Sequence, residues 1–317
     1  MPSTIVGSNP ILEIASNTAL PTGILTLANA NFVIQASGAN RSIANATSVQ
    51  SNYRVGNVDG SNLTQTGVVT LTAGSRTVTV DPGITYTFSN TMGESGGAAS
   101  LTKSGDGTMV LSSTVSHTGS TTVDDGILYV NGSLTGTSGV TVAAGAVLGG
   151  TGNISSAPAV TTVNGIIAPG SSPSTINTLG TRAISFGNGS SYNYDLNTTS
   201  LGGDLINSDG PLSFDGTAVL TLNDLAPGTL PLGSRLTLLS YSGLWDGDIF
   251  SGHADGSNFV LGSNTWQINY ADPTPGSNGG TFAKNVTLTT VVPEPAGMLL
   301  SGLGLTAFLL RRRASLV

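Results

Sequence analysis

Apolar and polar residues alternate along most of this chain in runs too short to be helices. TGVVTLTAGSRTVTV (66 to 80) and DGILYV (125 to 130) are representative. Such runs put Val, Leu or Ile at alternate positions and are bounded by Gly, Asn, Asp or Ser, the pattern of short strands joined by tight turns. No segment before residue 296 shows a helical apolar period, so the pattern predicts an all-β body.

The strands repeat. Aligning KSGDGTMVL, TVDDGILYV, TVAAGAVLG and TVNGIIAPG brings Gly107, Gly126, Gly145 and Gly165 together at steps of 19, 19 and 20, and TVDPGITYT adds Gly83 one step of 24 earlier. A near-constant step is what one coil of a β-solenoid requires: a glycine turns the corner, and flanking Val, Ile and Leu stack on their equivalents above and below. Val123, Val142 and Val163 then form one apolar ladder. An antiparallel sandwich whose hairpins share a glycine would give a similar pattern, and the two differ in strand direction.

Within SLTKSGDGTMVLSSTVSHTGSTTVDDGILYVNGSL, Leu101, Lys103, Gly105, Gly107, Thr108, Leu111, Gly119, Thr121, Val123, Gly126 and Leu128 resemble the autotransporter-associated β-strand repeat. Met109 stands where leucine is usual, Ser113 replaces a glycine, and Ser116-His117 replaces an Asn-x-Tyr element. The resemblance implies a right-handed parallel β-helix on a secreted or surface-exposed stalk, and no activity. The expected organisation is an irregular N-terminal β region (1–77), a β-helix repeat region (78–170, strongest over 97–147) and C-terminal β coils (171–290). A C-terminal segment (291–317) follows. Beyond Gly165 the text resembles the wider coils that follow such repeats, with Tyr192, Tyr194, Phe214, Leu220 and Leu222 as core. Residues 271 to 285 read as the loop of a last hairpin between WQINY and VTLTTVV.

Composition agrees with an elongated body. The chain has 317 residues, 44 of them glycine, with 5% aromatic residues and no cysteine, so its core is built from stacked small aliphatics and neither disulfides nor thiolate metal sites are available. Net charge is −7; without Glu294 and the three C-terminal arginines the body keeps 16 acidic against 7 basic residues. That surface repels phosphate backbones and argues against a nucleic-acid partner.

Candidate chemistry is sparse. The two histidines, His117 and His253, lack carboxylates at metal-site spacing, and no nucleophile-elbow, phosphate-loop or dinucleotide fingerprint occurs. Polysaccharide-cleaving β-helices use clustered carboxylates, which singles out Asp106, Asp124 and Asp125. Asp-Gly is equally a favoured turn pair, and corners are the simpler assignment. The nonapeptide of calcium-loaded solenoids is absent, and no cofactor or metal is expected.

The C-terminus differs from everything before it. Pro293-Glu294-Pro295 precedes an uncharged run, Ala296 to Leu310, and then Arg311, Arg312 and Arg313. As a helix the run spans about 22 Å, short of a bilayer core of about 30 Å, and the arginines would stay on the cytoplasmic side with the β body outside. The three parts in order resemble the PEP-CTERM sorting signal of Gram-negative-type bacteria that make exopolysaccharide. That resemblance implies recognition by an exosortase-type membrane transpeptidase, transient tethering to the bacterial membrane and processing near the motif. The prolines suit an extended recognition element held out of the helix.

Three functions are weighed. A non-enzymatic exported β-solenoid at the cell surface or in the extracellular matrix, with exopolysaccharide, biofilm or adhesion as its setting, leads. A polysaccharide-acting β-helix lyase or hydrolase is second, and an autotransporter passenger fragment third. MPSTIVGSNPILEIASN has neither the basic region nor the apolar core of a signal peptide. The genomic reading frame is therefore expected to continue upstream of Met1 into such a peptide; sequencing that DNA checks this, and an in-frame stop there contradicts it.

Overall fold

The computed structural model describes residues 3–4, 10–156, 159–170 and 175–293. Among these there are strands and turns but no helix, and the strands coil into a β-solenoid of about eight turns. Three faces run along it. The first passes through Leu25–Leu27, Thr47–Val49, Thr114–Val115, Ser133–Leu134 and Asn153–Ile154 and ends at Arg235–Tyr241. The second runs from Ile11–Ile14 through Thr121–Val123, Val140–Val142 and Val160–Val163 to Leu212–Phe214. The third runs from Arg41–Ile43 through Thr108–Leu111, Ile127–Val130 and Val147–Gly150 to Val219–Asp224. Two long strands, Val69–Val80 and Met92–Ser104, bend round the corner from the first face to the second.

Pairing between coils is parallel on all three faces, which decides against the antiparallel sandwich. Val123, Val142 and Val163 are in register and fully buried. The coils extend to both sides of the block in which the glycine step is visible. On the first face Leu25, Thr47 and Val69 follow one another at a step of 22, well before residue 78. On the third face the step is 23 from Tyr86 to Met109, 19 to 20 through Leu128, Leu148 and Ile167, then 25 to Tyr192 and 28 to Leu220.

Wider coils need larger side chains to fill them at native density. The narrow coils are closed by Val, Leu and Ile. In the wide ones Phe186 stacks on Phe214 with ring centroids 5.1 Å apart, and Phe250 meets Phe214 edge-on at 4.6 Å. Tyr192 and Tyr194 are buried beside them and donate their hydroxyls to the Leu238 and Thr237 carbonyls. Leu220 is buried as expected, whereas Leu222 is only half-buried because its strand lies on the open edge of the third face.

An antiparallel cap closes the C-terminal end. Arg235–Tyr241 pairs antiparallel with Lys284–Thr290, which pairs in turn with Asn264–Asp272 and so forms the expected last hairpin; Asn258–Leu261 adds a fourth strand. The loop of that hairpin is fastened by Asn278, whose amide nitrogen contacts the Thr237 carbonyl at 2.8 Å and the Asp204 carbonyl at 3.0 Å. The cap occupies the first-face ladder edge, where unpaired N–H and C=O groups would otherwise recruit further strands.

Because each coil buries its apolar face only against its neighbours, damage to one rung spreads. Val142→Asp places an unpaired charge in the middle of the valine ladder and should cost several kcal/mol. The expected result is lost β-sheet signal by circular dichroism and new protease cleavage across adjacent coils; a variant with wild-type melting and protease resistance would contradict the ladder.

Candidate functional site

The corner between the second and third faces is where the repeat places its polar residues. The ladders fix the strands, and this corner varies in length from coil to coil between them. Four residues link Lys103 to Thr108, three link Val123 to Ile127, four link Val142 to Val147 and two link Val163 to Ile166. Backbone bonds from one coil to the next persist through it, as from Asp124 N–H to the Lys103 carbonyl (2.8 Å) and from Val147 N–H to the Gly126 carbonyl (2.9 Å).

The four register glycines do different things at this corner. Gly126 has a φ of +61°, a left-handed conformation that favours glycine, and a Cβ there would also lie 2.5 Å from the Gly105 carbonyl oxygen. Gly107 and Gly165 are required by close approach alone, since a Cβ on either would sit 2.2 Å from a carbonyl oxygen of the preceding coil. Gly145 is offset: Val147 pairs with Ile127, so Ala146 lies opposite Gly126, and Gly145 turns the extra residue.

Lys103 points inward from the second face, in register with Val78 and Val123, and is fully buried. Its ammonium donates to the Ser104 (3.2 Å), Gly105 (2.5 Å) and Asp125 (2.9 Å) carbonyls, so one side chain ties the corner of its own coil to that of the next. Burial pushes its pKa down to about 8, against the pull of Asp125 and Asp106. Asp106, Asp124 and Asp125 are all exposed at the corner, which gives them the form of turn residues. Among the described residues no group of three or more His, Asp or Glu side chains is arranged to hold a metal ion.

Both histidines serve packing. His117 is buried with Nε2 3.0 Å from the Thr121 hydroxyl, which donates onward to Thr137, and burial holds its pKa down. His253 meets Phe259 edge-on at 4.7 Å, and burial lowers its pKa as well.

A concave site lies on the outer side of the third face, where the coils widen. Ile127, Tyr129, Val147 and Ile166 line a cavity of about 500 Å³ together with Asn193, Asp195, Asp204 and Thr221. The strand Ser191–Asn197 supplies Asp195 and then folds back through an antiparallel pairing with Gly202–Gly203, which brings Asp204 beside it. Asp204 accepts from the backbone N–H groups of Asn177 (2.8 Å) and Asp195 (3.1 Å), and Asp195 accepts from the Asn223 amide (2.9 Å). Burial raises both carboxyls, that of Asp204 to about 7. Sequence reasoning passed over both aspartates. Asp195 was visible only as an acidic residue at an outward position of SYNYDLN, and nothing local marked Asp204.

The chain leaves the cap at its very end. Val291 N–H still donates to the Thr265 carbonyl (2.9 Å), whereas Val292 is 63% exposed and Pro293 is exposed too. Glu294, Pro295, the run from Ala296 to Leu310 and Arg311, Arg312 and Arg313 lie outside the described residues. No helix among the described residues is long and apolar enough to cross a membrane.

Comparison with known families bears on two of these regions. The family model of the passenger-associated-transport-repeat matches residues 101–130, the Lys103 corner and the coil after it. The model of the PEP-CTERM protein-sorting motif matches residues 291–313, which begin where the cap ends. No curated protein matches the chain. Together the two matches mark an exported β-solenoid protein with a C-terminal sorting motif of the kind recognised by exosortase.

The buried lysine gives a pH-dependent test. Its pKa is about 8 in the folded chain against an ordinary 10.5. The unfolded chain therefore binds the extra proton between these values, so the stability linked to this group is complete above the unfolded value and is lost as pH falls to the folded one. The stability of the wild type relative to Lys103→Met should rise between about pH 8 and pH 10.5, as measured by denaturant unfolding of both proteins. A pH-independent difference would show that the amine is not held in the buried site.

Proposed function

We propose that this protein is a non-enzymatic β-solenoid of the cell surface or extracellular matrix, delivered by export and processed through its C-terminal tail by an exosortase-type membrane transpeptidase. The observation that carries the reading is the junction at Val291 to Pro293. The C-terminal end of the solenoid is capped up to Val291, and the match to the sorting motif starts at that residue. A tail attached there can be cut without breaking a ladder hydrogen bond of the body. In this reading the run from Ala296 to Leu310 holds the chain transiently in the membrane, and Arg311 to Arg313 set its orientation.

The body suits a stalk. Its surface is acidic, which keeps neighbouring copies apart, and its stability is distributed along the coils. The sparse exposed carboxylates at the coil corners serve as turns, and association with exopolysaccharide, in a biofilm or an adhesive layer, is the role we assign to the outer surface.

Glu294 tests the reading because a single carboxylate between two prolines contributes little to membrane insertion. In a host with exosortase, Glu294→Ala should leave the body folded but block processing, and removal of Arg311 to Arg313 should disturb orientation first. The measurement is the mass of the mature protein and its distribution between membrane and medium. Identical full-length, membrane-retained species for wild type and Glu294→Ala would reject sorting and leave a plain anchor.

A further inference from the structure

The cavity on the third face contains an imbalance of charge. Three aspartates are buried in the described body: Asp81 is 7% exposed, Asp195 5% and Asp204 1%. Asp81 has its cation, since Arg54 grips it with Nε at 2.6 Å and Nη2 at 2.8 Å. Asp195 and Asp204 lie side by side, and among the described residues no lysine, arginine or histidine forms an ion pair with either; the ion pairs there are Arg54–Asp81, Arg182–Asp209 and Arg235–Asp272. A buried carboxylate without a cation is costly, and two adjacent ones more so. Burial lifts the Asp204 carboxyl accordingly.

Beside these groups in the lining are Ile127, Tyr129, Val147 and Ile166, outward-facing side chains of three successive coils. Earlier on the same face the outward positions are mostly Thr or Ser, as at Ser42, Thr64, Thr85, Thr87 and Thr108, with Val110 the exception. A concave site of about 500 Å³ with an apolar wall and a few convergent polar groups has the size and character of a small-molecule pocket. The wall asks for an apolar body, and the far end asks for positive charge.

We propose that this cavity binds a small organic cation, a primary ammonium carried on an apolar body, with the ammonium directed at Asp195 and Asp204 and the body laid along Tyr129, Val147 and Ile166. The assignment is independent of the tail and of how the protein is sorted. A neutral sugar would donate hydroxyls to the carboxylates but leave their charge unpaired, and a bare divalent ion would pair the charge but leave the wall unused.

The test uses the full chain in a non-ionic detergent with three probes of matched size: 2-phenylethylammonium, 2-phenylethanol and 3-phenylpropionate. Saturation-transfer NMR and calorimetry should show saturable binding of the ammonium alone, with a Kd of about 1 mM or tighter. Asp195→Asn keeps an oxygen to accept from Asn223 and should weaken binding at least about tenfold, the loss expected for one charge-assisted contact. Val147→Lys sets a resident ammonium in the cavity and should abolish binding; its side chain points outward, so the melting temperature should stay near wild type. If Val147→Lys does not fold, Asp195→Asn decides. Equal binding of the alcohol, unchanged affinity in Asp195→Asn, no saturable binding of the ammonium, or calcium binding there in its place would each overturn the proposal.

Discussion

Hydrogen bonding between the backbones of successive coils is the constraint on which everything else in this protein rests. A strand in a solenoid has no partner within its own coil, so its N–H and C=O groups are satisfied only by the coils before and after it. Coils of 19 to 28 residues must therefore present strands in register, and the difference in length has to go elsewhere. It goes to the connections between faces and, in the wide coils, to longer strands such as Ser191–Asn197. The corner between the second and third faces shrinks to two residues after Val163 and grows to four after Lys103 and Val142, while the strands on either side stay paired. Glycine at these corners answers two separate demands, a left-handed turn at Gly126 and the passage of a neighbouring backbone at Gly107 and Gly165.

The same constraint explains where polar side chains are buried. A corner exposes carbonyls that no strand can use, and the protein supplies donors for them from side chains that bridge coils. Lys103 does this with its ammonium, Asn278 does it from the cap loop with a side-chain amide, and Thr137 donates towards the Gly119 and Gly139 carbonyls. The bonds from Lys103 to Asp125, Thr137 to Gly119 and Asn278 to Thr237 join residues about one coil or more apart in sequence, so they also pin register. Burial of the lysine costs desolvation, and the carbonyls it satisfies offset part of that cost.

Widening of the coils towards the C-terminus links the fold to both candidate sites. The larger cross-section calls for Phe186, Phe214, Phe250 and the buried tyrosines, and lengthening of the third-face strand to Ser191–Asn197 produces the fold-back that carries Asp204. The cap then ends the first-face ladder, and the chain emerges from it at Val292 and Pro293. The exit at Val292 and Pro293 and the outer cavity thus lie at different parts of the same expanded end and share no described residue.

Much of the architecture was legible in the chain itself. Alternation gave strands, the glycine step gave coils, and the in-register valines gave the core ladder, because these are local periodicities that stacking repeats identically. The tail was legible for the same reason: Pro293 to Arg313 carries its pattern in consecutive residues. The first coils were not legible, since Asn40 before Arg41 and Asn62 before Leu63 stand where later coils have a glycine, so no glycine step marks them. Gly145 was placed one residue out, because a repeat alignment follows the glycine whereas the ladder follows the strand. The cap, the lysine bridge and the cavity depend on contacts between residues far apart in sequence, as Asn278 is from Tyr194 and Tyr129 from Asp204. Sequence alone set what each coil is made of; tertiary structure decided which groups meet across coils, because hydrogen-bond register fixes the strands and leaves the corners and loops to find their partners in space.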